Sequence, residues 1–167
     1  MAAPTDTFEF PRTGKTAPNR AVVAAMTNKQ SNEDGTLSDE EINWLTRRAE
    51  GGFGIVTTAA THVVREGQGW DGEMGVWGDH QLPGLTRLAT GINEHGAISL
   101  AQIFHGGMRC PQRLTGVQPV SASVNRTSDS DNGEARALED SEIEDLVEAF
   151  ATAAARCEKA GFDGVEI

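Results

Sequence analysis

Three short segments hold the residues best suited to chemistry: Ala24-Ala25-Met26-Thr27, Thr57-Thr58-Ala59-Ala60 and Ala101-Gln102-Ile103-Phe104-His105. Each closes an apolar run that reads as a β-strand, and in parallel α/β folds the C-terminal strand ends meet the functional loops. Small side chains at two of these ends leave room for a flat ring to lie against the backbone. Thr27 and Gln102 add neutral hydrogen-bonding groups, and the Gln102 amide both donates and accepts. This set suits a planar, amide-like heterocycle better than a metal ion or a phosphate. Small residues at strand ends also arise, more commonly, from tight packing, and the residues alone leave both readings open.

Other reactive side chains point to less. His62, His80, His95 and His105 form no HxxxH or HExxH, and no metal site is expected. His95 lies at a predicted helix end, and His105 follows the third strand, where pocket lining and structural hydrogen bonding fit equally well. Glu139, Asp140, Glu142, Glu144 and Asp145 read as a helix N-terminus and solvated face, not a paired-carboxylate site. Arg12, Lys15 and Arg20 are too scattered to cradle phosphate, and Gly67 to Gly78 contains no GxGxxG opening a helix. Cys110 and Cys157 form no CxxC and are expected as reduced thiols. A net charge of -11 argues against nucleic acid as a partner. No apolar run is long enough to span a bilayer, so no membrane partner is expected, and without a leader pattern the expected location is cytoplasmic.

The elements that must position these residues follow from the apolar periodicity. Residues 1–18 are polar and punctuated by Pro4, Pro11 and Pro18, which makes them an N-terminal lead-in segment. Ala21 to Met26 reads as a strand buried on both faces. Ser38, three residues before Glu41, forms a capping-box signature for a helix with Ile42, Leu45 and Ala49 on one face, ended by Gly51-Gly52. Phe53 to Ala59 is a second strand. A Gly-rich loop and a helix from about Gln81 to Glu94 follow, and then a third strand over 97–104. A long polar loop, 106–137, precedes a helix over 140–160. Ile143, Leu146, Val147, Phe150, Ala154 and Cys157 recur there at helical spacing. A fourth strand starts near Gly164.

Four strand–helix alternations mean parallel βαβ units, in either an open doubly wound sheet or a (β/α)8 barrel. Tight turns before the strands and longer loops after them favour the barrel. A complete barrel takes about 250 residues. Residues 19–167 are therefore expected to be a half-barrel, about the first four β/α units, ending within the fourth strand.

Four segments carry a family resemblance: Asn19-Arg20 through Met26-Thr27, Gly52-Phe53-Gly54-Ile55-Val56-Thr57, Leu100 through Gly107, and Ala160-Gly161-Phe162-Asp163-Gly164-Val165-Glu166-Ile167. In this order and spacing the chain resembles the old yellow enzymes, flavin-dependent NAD(P)H oxidoreductases. The resemblance implies FMN bound noncovalently at the C-terminal strand ends. It places Ala25, Met26 and Thr27 against the flavin, with Thr27 on a pyrimidine-side carbonyl. It lays Ala59 against the ring and puts Gln102 on the pyrimidine edge. It further implies that NAD(P)H reduces the flavin, which passes hydride to the β-carbon of an α,β-unsaturated carbonyl.

The departures matter as well. Ala25 stands where the family often has Pro, and Met108 with Arg109 stands where Arg often follows the Gly pair. The His pair, or His and Asn, that anchors the carbonyl follows the segment ending at Ile167, and no Tyr is present to donate a proton. The expected function is therefore an FMN-dependent oxidoreductase represented by its N-terminal half, with a small-molecule substrate. The alternative is a non-catalytic half-barrel that self-associates or pairs with a missing C-terminal half. A different barrel enzyme, an aldolase or lyase, would need a Lys or metal ligands at the strand ends, and the first three have none.

Overall fold

In the computed structural model, which describes residues 2–167, the main parallel sheet keeps its principal strands in chain order. The chain opens with an antiparallel pair, β1 (Phe8–Glu9) and β2 (Thr16–Ala17). Then follow β3 (Val22–Val23), α1 (Asp39–Glu50), β4 (Ile55–His62), β5 (Met74–Gly75), α2 (Leu82–Asn93) and β6 (Ile98–Phe104). The segment expected as one polar loop holds α3 (Gln112–Thr115) and a small sheet of β7 (Val120–Ser121), β8 (Asn125–Arg126) and β9 (Glu134–Ala137). α4 (Asp140–Ala160) and β10 (Gly164–Glu166) complete the described chain.

The spatial order is β3-β4-β6-β10, all parallel, with β5 added beside the end of β4. A doubly wound sheet reverses strand order at a switch point. This sheet never reverses, and α1, α2 and α4 share the core on one of its faces. Leu45, Leu85, Leu88 and Ile92 of the helices bury against Val56, Ala101 and Ile103 of the strands, and Cys157 joins them. The winding is that of a barrel segment, because successive right-handed crossovers that keep one direction stack their helices on one side.

Polar side chains tie the starts of the strands together. Asn19 Oδ1 accepts from the Ala21 and Gly54 amides at 2.9 and 3.1 Å, and its Nδ2 donates to Gly52 O at 2.8 Å. A Cβ at Gly54 would sit 2.4 Å from the Asn19 carbonyl oxygen, so only glycine fits there. At the other edge Asp163 accepts from the Ser99 amide and hydroxyl at 2.9 and 3.2 Å and pairs with Lys15 of the lead-in segment. The β1–β2 pair thereby caps the N-terminal end of the sheet.

The capping box at α1 forms only in part. Ser38 accepts from the Glu41 amide at 3.1 Å. The Glu41 carboxylate turns away from the cap and binds Asn28 Nδ2 at 2.8 Å and the Ser31 hydroxyl. Fully buried, Glu41 is pushed above the usual carboxylate range by desolvation, against the pull of Ser31 and Asn28. It fixes the loop that follows Thr27.

Two expectations about burial need correction. The first strand pairs only over Val22–Val23, and Val22 and Met26 are each 50% exposed, because β3 has β4 on one side and, among the described residues, no strand on the other. On α4, Ile143 and Val147 are exposed, whereas Ala153, Cys157 and Ala160 are buried. The helix packs through its C-terminal half onto β6 and β10, and its first turns meet the rest of the chain through the Arg136–Glu142 pair, which leaves Ile143 and Val147 exposed.

Replacing Glu41 by Ala leaves Asn28 and Ser31 without their buried acceptor and is expected to cost about 3 kcal/mol. The exposed neighbour Glu40→Ala should cost under about 0.5 kcal/mol. Urea unfolding of both variants beside the parent chain measures the difference.

Candidate functional site

The site is set by the ladder between β4 and β6. Thr57 pairs with Leu100 and Ala60 with Gln102, so Thr58 and Ala59 together oppose the single residue Ala101. This is a β-bulge, which strands the amide it displaces. The Thr58 hydroxyl repairs the gap, accepting from the Gln102 amide at 3.1 Å and donating to Ala59 O at 2.7 Å. A hydroxyl within reach of the unpaired amide is the local reason that Thr suits this position.

Side chains alternate across a strand. Ala101 and Ile103 point into the core beneath the helices, so Leu100, Gln102 and Phe104 face the other way. Register brings Ala60 and His62 of β4 onto that face, and Glu166 of β10 beside Gln102. The Gln102 amide Nε2 donates to Glu166 Oε1 at 2.9 Å. Its Oε1 has no partner among the described residues. Two strands away, the backbone of Ala25, Met26 and Thr27 likewise forms no hydrogen bond with the described residues, and the Thr27 side chain is exposed. Two strand spacings, about 10 Å, separate β3 from β6. The sequence-predicted residues thus lie at the same end of three adjacent strands. Ala25, Met26, Thr27 and Gln102 offer donors and acceptors there that no described residue engages. Ala59 sits in the bulge at 4% exposure, and Ala60 is the residue in register with Gln102.

The sequence profile of the NADH:flavin oxidoreductase / NADH oxidase family matches residues 12–167. The chain belongs to this family. It is 42% identical over 162 residues to a probable NADH-dependent flavin oxidoreductase of Bacillus subtilis (strain 168), covering 96% of this chain and 42% of that protein. It is 36% identical to an NADH:acrylate oxidoreductase of Vibrio harveyi, covering 100% of this chain and 16% of that protein. Among solved structures, the old yellow enzyme homologue from Zymomonas mobilis superposes with a TM-score of 0.88 at 29% identity, over 98% of this chain and 47% of that one. The chain spans less than half the length of these relatives. Its parallel units match the first part of the old yellow enzyme barrel, which makes the face bearing Gln102 the barrel interior.

Within this family member several contacts shape the rim of the site. The loop after β4 folds over the end of β6, where the rings of Trp70 and Phe104 lie 5.5 Å apart. Glu73 holds that loop by accepting from the Gly69 amide. At 1% exposure, burial pushes the Glu73 carboxyl up to about 8, against backbone hydrogen bonds from Gly69 and Trp70. His62, the last residue of β4, is buried as well. Trp77 Nε1 can only donate, so His62 Nε2, 3.1 Å away, is the unprotonated nitrogen. Burial lowers that imidazole to about 4, against a smaller opposing pull from the Met74 backbone. His105 Nδ1 accepts from the Gly107 amide at 2.9 Å, the structural role of the two anticipated for it, although its ring also lines a surface cavity with Val64 and Val120.

Among the described residues no cluster of three or more His, Cys, Asp or Glu could share a metal ion. Both cysteines are buried and unpaired. The acidic start of α4 is engaged structurally: Arg136 grips Glu142 through two contacts of 2.6 Å and pulls its carboxyl down to about 2. Among the described residues no helix is long and apolar enough to cross a membrane. Sequence reasoning read Ala60 only as a small residue at a strand end, and it gave Trp70 and Glu166 no role at the site. Only strand register brings the first and last to Gln102, and only the loop's fold brings Trp70 to Phe104.

The Glu73 carboxyl keeps its proton in the folded chain over a range where the unfolded chain has lost it. Stability should therefore fall as pH rises from about 4.5 to 8, by at most about 1.4 kcal/mol per pH unit. Glu73→Gln removes this decline, and urea unfolding at pH 5 and pH 8 should show a smaller difference for the variant than for the parent chain.

Proposed function

We propose that this chain forms the flavin-seating half of an FMN-dependent oxidoreductase of the old yellow enzyme type. The observation that carries the reading is a set of hydrogen-bonding groups with no partner among the described residues, on the two strand ends that flank β4, in a member of this family: the Ala25-Met26-Thr27 backbone and Gln102 Oε1. These groups fit FMN. A planar pyrimidine edge presents alternating carbonyls and an N–H, and an amide with a free acceptor, a hydroxyl and exposed peptide groups complement it. Ala59 and Ala60 carry no side chain beyond Cβ, so a ring can approach the sheet between β3 and β6.

When bound, FMN supplies the relay of hydride from NAD(P)H to an activated alkene such as an α,β-unsaturated carbonyl. The chain's own part is to seat and orient. Gln102 Oε1 would accept from the pyrimidine N–H and the Thr27 hydroxyl would donate to a pyrimidine-side carbonyl, while the buried Glu41 keeps the Asn28–Ser31 loop beside them in place. Trp70, against Phe104, screens one side of the interior face from water. The carbonyl-anchoring and proton-donating residues implied by the resemblance are not among these 167 residues, and no catalytic residue is assigned. The substrate is a small molecule, and the protein works in the cytoplasm.

A second reading, a non-catalytic half-barrel that pairs with a partner, is favoured by the exposed Ile143 and Val147 on α4 and by the single-sided pairing of β3 and β10. Its domain division is the lead-in segment 1–18 and the half-barrel 19–167.

Fluorescence titration of FMN into the chain, with the oligomeric state recorded, separates the two. Saturable quenching is expected, and Gln102→Ala should weaken it by about tenfold, the loss of one hydrogen bond at a polar edge. Thr27→Ala should shift the reduction potential of bound FMN more than its affinity. Absence of quenching at every protein concentration would leave the half-barrel reading.

A further inference from the structure

Gln102 presents a symmetric-looking amide whose two ends do opposite things: Oε1 accepts and Nε2 donates. A flavin's pyrimidine edge offers both carbonyls and an N–H. Whichever way the amide turns therefore decides which flavin atom it serves. An isolated amide of this kind flips at little cost, and its orientation is set by the network around it.

The network has one member here. Glu166 lies in register with Gln102 on the neighbouring parallel strand, so both side chains leave the same face of the sheet. The Gln102 Nε2 to Glu166 Oε1 distance is 2.9 Å. A carboxylate only accepts, so it draws the amide nitrogen toward β10 and leaves Oε1 free toward β4 and β3. Hydrogen bonds to a charged acceptor are stronger than neutral ones, which biases the flip. The Gln102 main chain is held independently, by the Thr58 hydroxyl at the bulge, so the side-chain torsion is the freedom that remains.

We propose that Glu166 is a positioning residue that locks the Gln102 amide with Oε1 facing the ligand, making the site selective for a pyrimidine N–H at that point. The proposal rests on the FMN reading above for its ligand, but the lock itself is a property of the protein. Glu166 does not touch the flavin. It acts through Gln102.

The test uses the full 167-residue chain, labelled with nitrogen-15, and its Glu166→Gln variant. The Gln102 side-chain amide signal is assigned by its loss in Gln102→Ala. It is followed from pH 3 to pH 8, and FMN affinity is measured by fluorescence quenching. In the parent chain the signal should move as one carboxylate titrates, and in Glu166→Gln it should stay still. FMN affinity should drop about fivefold in Glu166→Gln, one hydrogen bond's worth of orientation. A thermal melt of both proteins should coincide, because Glu166 is exposed at the sheet edge. A Gln102 signal that ignores pH, or moves alike in both proteins, overturns the lock. A signal that titrates as expected while Glu166→Gln binds FMN as tightly as the parent overturns the role in ligand selection. If the parent chain takes no FMN, the flavin reading fails by itself, and the amide titration still decides whether Glu166 orients Gln102.

Discussion

The parallel ladder between β4 and β6 is the constraint on which the rest of the site depends. Its one irregularity, two residues of β4 against Ala101, would leave the Gln102 amide unpaired inside a sheet buried under helices. An unpaired buried amide costs about 1 to 3 kcal/mol, so the Thr58 hydroxyl that accepts from it is needed for the bulge to persist. Once the bulge is in place, everything downstream on β4 changes partner. Ala60 moves opposite Gln102, His62 moves opposite Phe104, and the loop leaving His62 folds back over the end of β6.

A second set of contacts acts at the opposite end of the sheet. Asn19 and Asp163 each use one side chain to join two strand starts, and Asp163 also holds Lys15 of the N-terminal pair. These are stabilising contacts at the face that barrels leave free of chemistry. The division of labour is spatial. Short polar ties and glycines, such as Gly54 against the Asn19 carbonyl, hold the bottom, and at the top Met26 and Thr27 are exposed with backbone groups that no described residue engages. Glu41 works at the top. It belongs to the first turn of α1, yet its carboxylate serves the loop after Thr27.

The apolar periodicity in the chain led directly to the helices, because a stripe repeating every three or four residues has no stable home except against a core. α1 and α2 lie close to the boundaries read from Ser38, Gly51 and Gln81. The same periodicity misled for α4. Ile143 and Val147 belong to its apolar stripe but face no described neighbour, since periodicity reports which face is apolar and not what covers it. The first strand was overread for a related reason. Its run of Ala and Val fits burial on both faces, but pairing on one side only leaves Val22 half exposed.

Residue types alone led to the alternation of strand and helix and marked Thr27 and Gln102 as neutral polar groups at strand ends. Those conclusions need only local periodicity and side-chain chemistry. The tertiary structure decided three further matters. Strand order without reversal separates a barrel segment from a doubly wound sheet, and sequence alternation is identical in both. Strand register places Ala60 and Glu166 beside Gln102 from 42 and 64 residues away, a pairing no local pattern encodes. Burial sets the protonation of Glu73 and His62, because desolvation depends on what surrounds a group in space and not on its neighbours in the chain.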